Sequence, residues 1–215
     1  MNQYHKIKTV WERDPNNKYK TLIEGKWATP ELEYLKDVEW VSTEKVDGTN
    51  IRVMWNGKDV TFGGKTDNAM LPSFLVARLN ELFYKTEKKQ ILKDVFDEEG
   101  SVCLYGEGYG AKIQKGGGNY ISDGQDFVLF DVWIKGIWLK REDVKDIADK
   151  LGVKVVPIIS SRNLEYAIDM AREGFKSQWG DFMAEGLVMR PREELLDRRG
   201  QRIITKIKHK DFFHI

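Results

Sequence analysis

Residues 41–55 read VSTEKVDGTNIRVMW. An alternating apolar–polar run ends at Lys45, the pair Asp47-Gly48 follows, and a second alternating run starts at once. Alternation of this period is the mark of a strand with one buried face. Two readings stand for the lysine. One is a β-hairpin whose turn is flanked by charge. The other is a flexible amine set on a strand edge to do chemistry. The rest of the chain has to choose between them.

Strand patterns continue outward from this stretch. VEWVSTEKV and NIRVMWNGKDVTFGG read as strands, with Asn56-Gly57 as a two-residue hairpin signal. SVCLYGEGYG is another strand, and DFVLFDVWIKGIWLK reads as strand, turn and strand. VKVVPIIS is a short strand, and AEGLVMRP and QRIITKIKHK are strands near the C-terminus. Helical spacing appears in LPSFLVARLNELFYKT, with Phe74, Leu75, Leu79, Leu82 and Phe83 on its apolar side. REDVKDIADKLG has acids early and Gly152 just past its end, and NLEYAIDMAREGF starts at a capping Asn163. Long strands joined by hairpins, with helices between groups of them, predict an α+β fold of antiparallel sheets with flanking helices. No linker or repeat interrupts residues 1–215, so one domain is expected.

Composition narrows the function classes. The 215 residues carry a net charge of +1. That excludes a strongly basic nucleic-acid coat but leaves room for a local basic groove. The single cysteine, Cys103, permits no internal disulfide and no four-cysteine zinc site. The N-terminus lacks the apolar core of a signal peptide, and no apolar run reaches the ~20 residues of a membrane span. A cytoplasmic protein with no membrane partner is expected.

Three apparent motifs fail on inspection. Gly63 to Thr66 resembles the tail of a phosphate-binding P-loop, but Asp59 stands where that loop needs glycine, and Pro72 delays the following helix. GEGYG at 106–110 has the wrong spacing for a dinucleotide fingerprint. His5, His209 and His214 are too scattered for a metal triad, and His209 reads as part of a basic surface.

Other residues form a pattern. An amine attacks only when deprotonated, and neighbouring cations favour the neutral form. From Arg198 to Lys210 there are six lysines or arginines and no acid. On a strand, Lys206, Lys208 and Lys210 would share one face and attract a polyphosphate. Taken alone, the segment reads as a solvated edge strand whose lysines discourage aggregation. Glu107 lies between glycines and Glu185 before one, each beside an apolar strand. Such acids suit a ribose hydroxyl or a divalent metal, although singly each reads as a turn residue.

In order, Lys45-Val46-Asp47-Gly48, Gly106-Glu107-Gly108, FVLFD, EGLVMRP and TKIKHKDF resemble motifs I, III, IIIa, IV and V of the covalent nucleotidyltransferases. TEKVDGTN and YGEGYGAKIQKGG look most like the RNA ligase 2 branch. The resemblance spans Lys45 to Phe212 and implies an ATP-grasp-like nucleotidyltransferase domain. It implies that Lys45 attacks the α-phosphate of ATP, that Glu44 and Val46 frame the adenine, and that Asn50 lies near the reacting phosphate. Glu107 would hold the ribose and Phe130 would stack on the base. Glu185 would support a Mg2+ or Mn2+ ion and the nucleotide, while Lys206 and Lys208 contact phosphates and help to depress the pKa of the nucleophile. Lys65 stands where the family often has arginine, Arg190 where it often has lysine, and Asp47 where close members can carry histidine. These departures bear on substrate specificity rather than reaction class.

The implied partners are nicked or broken RNA ends, or RNA/DNA hybrid ends. The chain stops just after motif V, so a minimal catalytic domain without an OB domain is expected. Its nucleic-acid grip would then come from Arg198, Arg199, Arg202, Lys112 and Lys115. The rivals are a DNA ligase, a GTP-using capping enzyme, and a nucleic-acid-binding module without catalysis. The segment KIKTVWERD carries no motif and reads as core padding.

Overall fold

A computed structural model describes residues 3–97 and 100–213. In chain order its elements are β1 (Lys8–Thr9), β2 (Trp11–Arg13), β3 (Leu22–Trp27), α1 (Pro30–Tyr34), β4 (Trp40–Glu44), β5 (Thr49–Trp55), β6 (Val60–Gly63), α2 (Ser73–Phe83), α3 (Thr86–Phe96) and β7 (Val102–Gly110). There follow α4 (Gly117–Tyr120), β8 (Gln125–Ile134), β9 (Ile137–Trp138), α5 (Arg141–Leu151), β10 (Lys154–Val155), β11 (Ile158–Arg162), α6 (Leu164–Glu173), β12 (Gly186–Pro191) and β13 (Thr205–Lys208). The fold is mixed α+β, and the chain packs as two compact units.

The first unit holds residues 3–5 and Asp47–Val156. Its six-stranded sheet runs β10-β8-β7-β5-β6, with β9 paired to β8. Alternation in β5 sends Ile51, Val53 and Trp55 into a core that α2, α3 and α5 cover with Leu79, Phe83, Leu92 and Ile147. Of the apolar positions expected in α2, Leu75, Leu79 and Phe83 are buried while Phe74 is exposed. Helix α3 was not expected from the sequence. Its window is rich in lysine, and no side chain caps its start. Asn56-Gly57 opens a four-residue loop rather than a two-residue one, since Trp55 pairs with Val60. The Asn56 side chain accepts from the N–H groups of Lys58 and Asp59 at 3.0 and 2.7 Å and stabilises the longer loop.

The second unit holds residues 6–46 and 157–213. Its five-stranded sheet runs β1-β13-β12-β4-β11, and β2 and β3 form a separate hairpin. Helix α6 covers one face, packing Leu164, Ala167 and Ile168 on Trp40, Leu187, Met189 and Ile207. As expected, Asn163 caps α6, accepting from the Tyr166 N–H at 3.1 Å. Val10 and Trp11 complete this core, so KIKTVWERD does contribute to packing.

Several expectations change. The sheets are mainly antiparallel, but β1 pairs parallel with β13 and β10 parallel with β8. VKVVPIIS is not one strand. It splits at Pro157 into β10 and β11, which belong to different sheets, and a proline without an N–H cannot continue a ladder. Strand β13 lies between β1 and β12, so it is no solvated edge. Lys210 lies in a 3-10 turn over His209–Phe212 and does not share the strand face of Lys206 and Lys208. Asp211 causes the break by accepting from the Lys208 N–H at 3.0 Å, which caps the turn. Neither sheet closes into a barrel among the described residues. No helix is long and apolar enough to cross a membrane among them.

Candidate active site

Register decides which side chains share a face in the second unit. Glu44 pairs with Leu187, whose side chain lies in the α6 core, so Glu44 points the same way. Thr43, Val188 and Lys206 are mutual partners across three strands and face the other side. Lys45 follows β4 and is held by its N–H to the Gly186 carbonyl at 2.9 Å. Glu185 precedes β12, and its carbonyl accepts from the His209 N–H at 3.0 Å. Gly186 has no room for a side chain, because a Cβ there would lie 2.1 Å from the Ile207 carbonyl oxygen.

These anchors bring three expected residues together. The Lys45 ammonium donates to Glu185 Oε2 at 2.6 Å, and the Lys208 ammonium pairs with Glu185 Oε1. One carboxylate thus bridges two amines, with side-chain exposures of 21%, 12% and 20% for Lys45, Glu185 and Lys208. Burial alone would push the Glu185 carboxyl up, but the charges of Lys45 and Lys208 outweigh it and hold the group below its ordinary value. The trio carries one surplus positive charge, and half-buried Lys206 lies on the same face of β13 as Lys208. A partly desolvated cationic patch of this kind favours a phosphate-bearing ligand.

Glu44 is only 1% exposed. Its carboxylate accepts from the Ser177 hydroxyl at 2.5 Å and the Gln178 N–H at 2.8 Å, and the Ser177 oxygen in turn accepts from the Trp179 N–H at 3.1 Å. Burial raises its pKa against these two bonds. The Glu44 carboxylate thus takes one bond from the 177–179 loop on each oxygen, and each oxygen keeps a further acceptor site. Val46 is buried beside it in sequence.

The first unit carries the other expected residues. Asn50 on β5 and Glu107 on β7 are direct cross-strand partners, so they meet on one face. Asn50 Oδ1 is buried with no hydrogen-bond partner among the described residues, a costly state unless something else satisfies it. The glycines around Glu107 have a packing reason. A Cβ at Gly106 would lie 2.2 Å from the Phe127 ring, and one at Gly108 would lie 2.7 Å from Leu75. Gly48 is likewise set by close approach, since a Cβ there would sit 2.3 Å from the Gly108 carbonyl oxygen. Tyr120 and Gln114 clamp this segment. The Asp47 N–H donates to the Tyr120 hydroxyl at 3.1 Å, and Gln114 donates to the Gly48 carbonyl at 3.0 Å.

Phe130 sits at a β-bulge. Tyr105 pairs with Asp131 and Gly106 with Leu129, so Phe130 has no counterpart on β7. Arg141 takes up its carbonyl at 2.7 Å and reaches the Val156 carbonyl at 3.0 Å. Tyr4 packs edge-on against the Phe130 ring, with centroids 5.1 Å apart, and donates to Asp131 at 2.5 Å. Lys65 is exposed on the turn after β6.

Sequence reasoning missed the Glu44–Ser177 bond, the Arg141 support and the Tyr4–Asp131 bond. It also placed Arg202 on a nucleic-acid surface. Arg202 is buried and paired with Glu194, while Arg198, Arg199, Lys112 and Lys115 stay exposed. His209 is half-buried, its Nδ1 donating to the Ala171 carbonyl at 3.0 Å, and is not part of a basic surface. His214 lies outside the described residues.

No group of three or more His, Cys, Asp or Glu side chains is placed to hold a metal among the described residues. Glu185 is a single carboxylate between two amines. Magnesium typically keeps several waters and takes other oxygens from substrate phosphates, needing one or two carboxylates from the protein. The donor set fits that mode and does not fit an all-protein cage.

Residues 38–208 match the family model for RNA ligase. The chain belongs to the RNA ligase family. Its fold resembles solved structures of a Naegleria gruberi RNA ligase. The form with pyrophosphate aligns at a TM-score of 0.65 and 22% identity, over 97% of this chain and 58% of that one. A variant with ATP and manganese aligns at 0.66 and 21%, over 97% and 56%. An apo variant aligns at 0.63 and 20%, over 98% and 58%. This RNA ligase-family chain therefore spans little more than half the length of those proteins. At such identity the likeness is one of fold. Comparison with curated proteins gave no match.

Proposed function

We propose that this chain is an ATP-dependent RNA ligase, with residues 1–215 forming a nucleotidyltransferase domain. The observation that carries the reading is the Lys45–Glu185–Lys208 trio within a chain of this family. In the first step the Lys45 amine, once deprotonated, attacks the α-phosphate of ATP. A P–N bond forms, the bond to the β-phosphate breaks, and pyrophosphate leaves. Lys206 and Lys208 balance the charge that develops on the phosphates. Glu185 holds the amine in place until the nucleotide competes for Lys208. The family resemblance gives the ribose to Glu107, the base to Phe130 and phosphate contacts to Asn50 and Lys65. Magnesium or manganese, when bound, would supply Lewis-acid neutralisation of the phosphates, with Glu185 as its carboxylate contact.

The adenylate then passes from Lys45 to a 5′-phosphate end, forming an anhydride and freeing the amine. A 3′-hydroxyl attacks that 5′-phosphate, closes the phosphodiester and releases AMP. The solved Naegleria gruberi RNA ligase structures with ATP and manganese and with pyrophosphate support the choice of nucleotide. The substrates would be nicked or broken RNA ends, including hybrid ends, in cytoplasmic RNA repair. The deciding experiment is covalent labelling with α-phosphate-labelled ATP or GTP and magnesium. ATP label on the wild type that is absent from Lys45→Ala is expected. GTP label would move the chain to capping chemistry, and no label from either nucleotide on folded, nucleotide-free protein would remove Lys45 as nucleophile.

A further inference from the structure

We infer that Arg52 is a positioning residue for Lys65, gripping the turn that carries it from both sides. This rests on the nucleotidyltransferase reading, in which Lys65 meets the phosphates of ATP. Arg52 lies in β5 and is 1% exposed, although β5 needs no cation for its packing. Its partners across the sheet are Gly63 on β6 and Tyr105 on β7. A Cβ on Gly63 would come within 3.0 Å of the Arg52 Nη2, so the glycine leaves the guanidinium its path. Nε donates to the Gly64 carbonyl at 2.8 Å, and Nη2 donates to Asp67 Oδ1 at 2.7 Å. Lys65 therefore stands between the two residues that one planar fork holds.

The turn is tight in its own right. The Ala69 N–H donates to the Thr66 carbonyl at 3.1 Å, and a Cβ on Gly64 would lie 2.8 Å from that of Ala69. The burial is lopsided, because the Arg52 side chain is 2% exposed while its partner Asp67 is 72% exposed. Desolvating a cation to reach a surface carboxylate is a poor route to stability. It is a good route to a rigid turn, since the fork fixes both distance and plane. A lysine has only one donor centre and cannot span the carbonyl and the carboxylate together. An exposed lysine on a mobile turn would spend much of its time away from the phosphate, and small misplacements are costly in transfer reactions.

The test uses the full chain, magnesium and α-labelled ATP, with Lys45→Ala, Lys65→Ala, Asp67→Ala and Arg52→Lys compared with wild type. Asp67 is exposed, so Asp67→Ala keeps the test open even where the Arg52 variant folds poorly. We expect Asp67→Ala and Arg52→Lys to raise KM for ATP by about tenfold with kcat within about twofold. Asp67→Ala combined with Lys65→Ala should be no worse than Lys65→Ala alone, because the grip acts through that lysine. Endoproteinase Lys-C should cut after Lys65 faster in folded Asp67→Ala than in wild type. A wild-type KM in both Asp67→Ala and Arg52→Lys, beside a raised KM in Lys65→Ala, would overturn the role of Arg52 alone. A wild-type KM in Lys65→Ala would also overturn it. Label retained by Lys45→Ala would instead bring down the nucleotidyltransferase reading beneath it.

Discussion

Glu185 is the acid on which the cationic patch turns. It holds Lys45 and Lys208 at once, and both charges lower its pKa despite burial. Replacing it with glutamine should cut the rate of self-adenylylation on the order of 10²-fold, measured in single turnover with labelled ATP, as both amines lose their anchor. Its folded pKa lies below the unfolded one, so its stabilisation is present above the ordinary carboxylate range and is lost as pH falls through the depressed value. Wild-type melting temperature should therefore fall more steeply than that of Glu185→Gln below about pH 4.3. An equal slope would mean that the two lysines do not hold the carboxylate in solution. Lys45, Glu185 and Lys208 were singled out in the sequence because each lies in a short stretch that carries the family resemblance, and the structure brings the three together. The partners of the buried acids could not. Ser177 reaches Glu44 across 133 residues, and Tyr4 reaches Asp131 across 127. Neither serine nor tyrosine carries a local signal of that use.

At the level of elements, the bulge at Phe130 shows what side-chain alternation misses. The stretch QDFVLFDVWI gives an unbroken strand pattern, and β8 is indeed one strand. The extra residue appears only against the register of β7. Arg141, at the start of α5, satisfies the carbonyl that the bulge frees. Arg141→Met should destabilise the protein by about 2 kcal/mol in urea unfolding, because two part-buried carbonyls lose a charged donor. A change below about 0.5 kcal/mol would mean that water replaces it without loss. Helices α5 and α6 were plain from their ends, since Gly152 and Asn163 do their expected work. Strand β13 ended sooner than its pattern, because the Asp211 carboxylate captured a backbone N–H that alternation takes for granted. The two parallel pairings had no local signature at all, as each joins segments with no turn between them.

For the molecule as a whole, a net charge of +1 makes any hold on nucleic acid a local matter. Lys112 and Lys115 lie exposed on the first unit, and Arg198 and Arg199 on the second. With Arg202 engaged by Glu194, these four set an upper bound on the basic contacts foreseen. RNA affinity measured against salt should then give a log–log slope of about −3, and a slope near −7 would require cations from elsewhere on the surface. The expected single domain packs as two units, each with its own sheet and core. In the second, the strand carrying Lys206 and Lys208 is flanked by β1, and Thr205 bonds to Lys8 across 197 residues. So distant a parallel contact carries the loop-closure entropy of the long chain between its ends, and contacts of this kind slow folding. The cationic face thus has a latency. Lys45 follows β4, whose own partners are β11 and β12, yet the face beside it is complete only when the two far stretches of chain have met, which ties its assembly to the completion of folding.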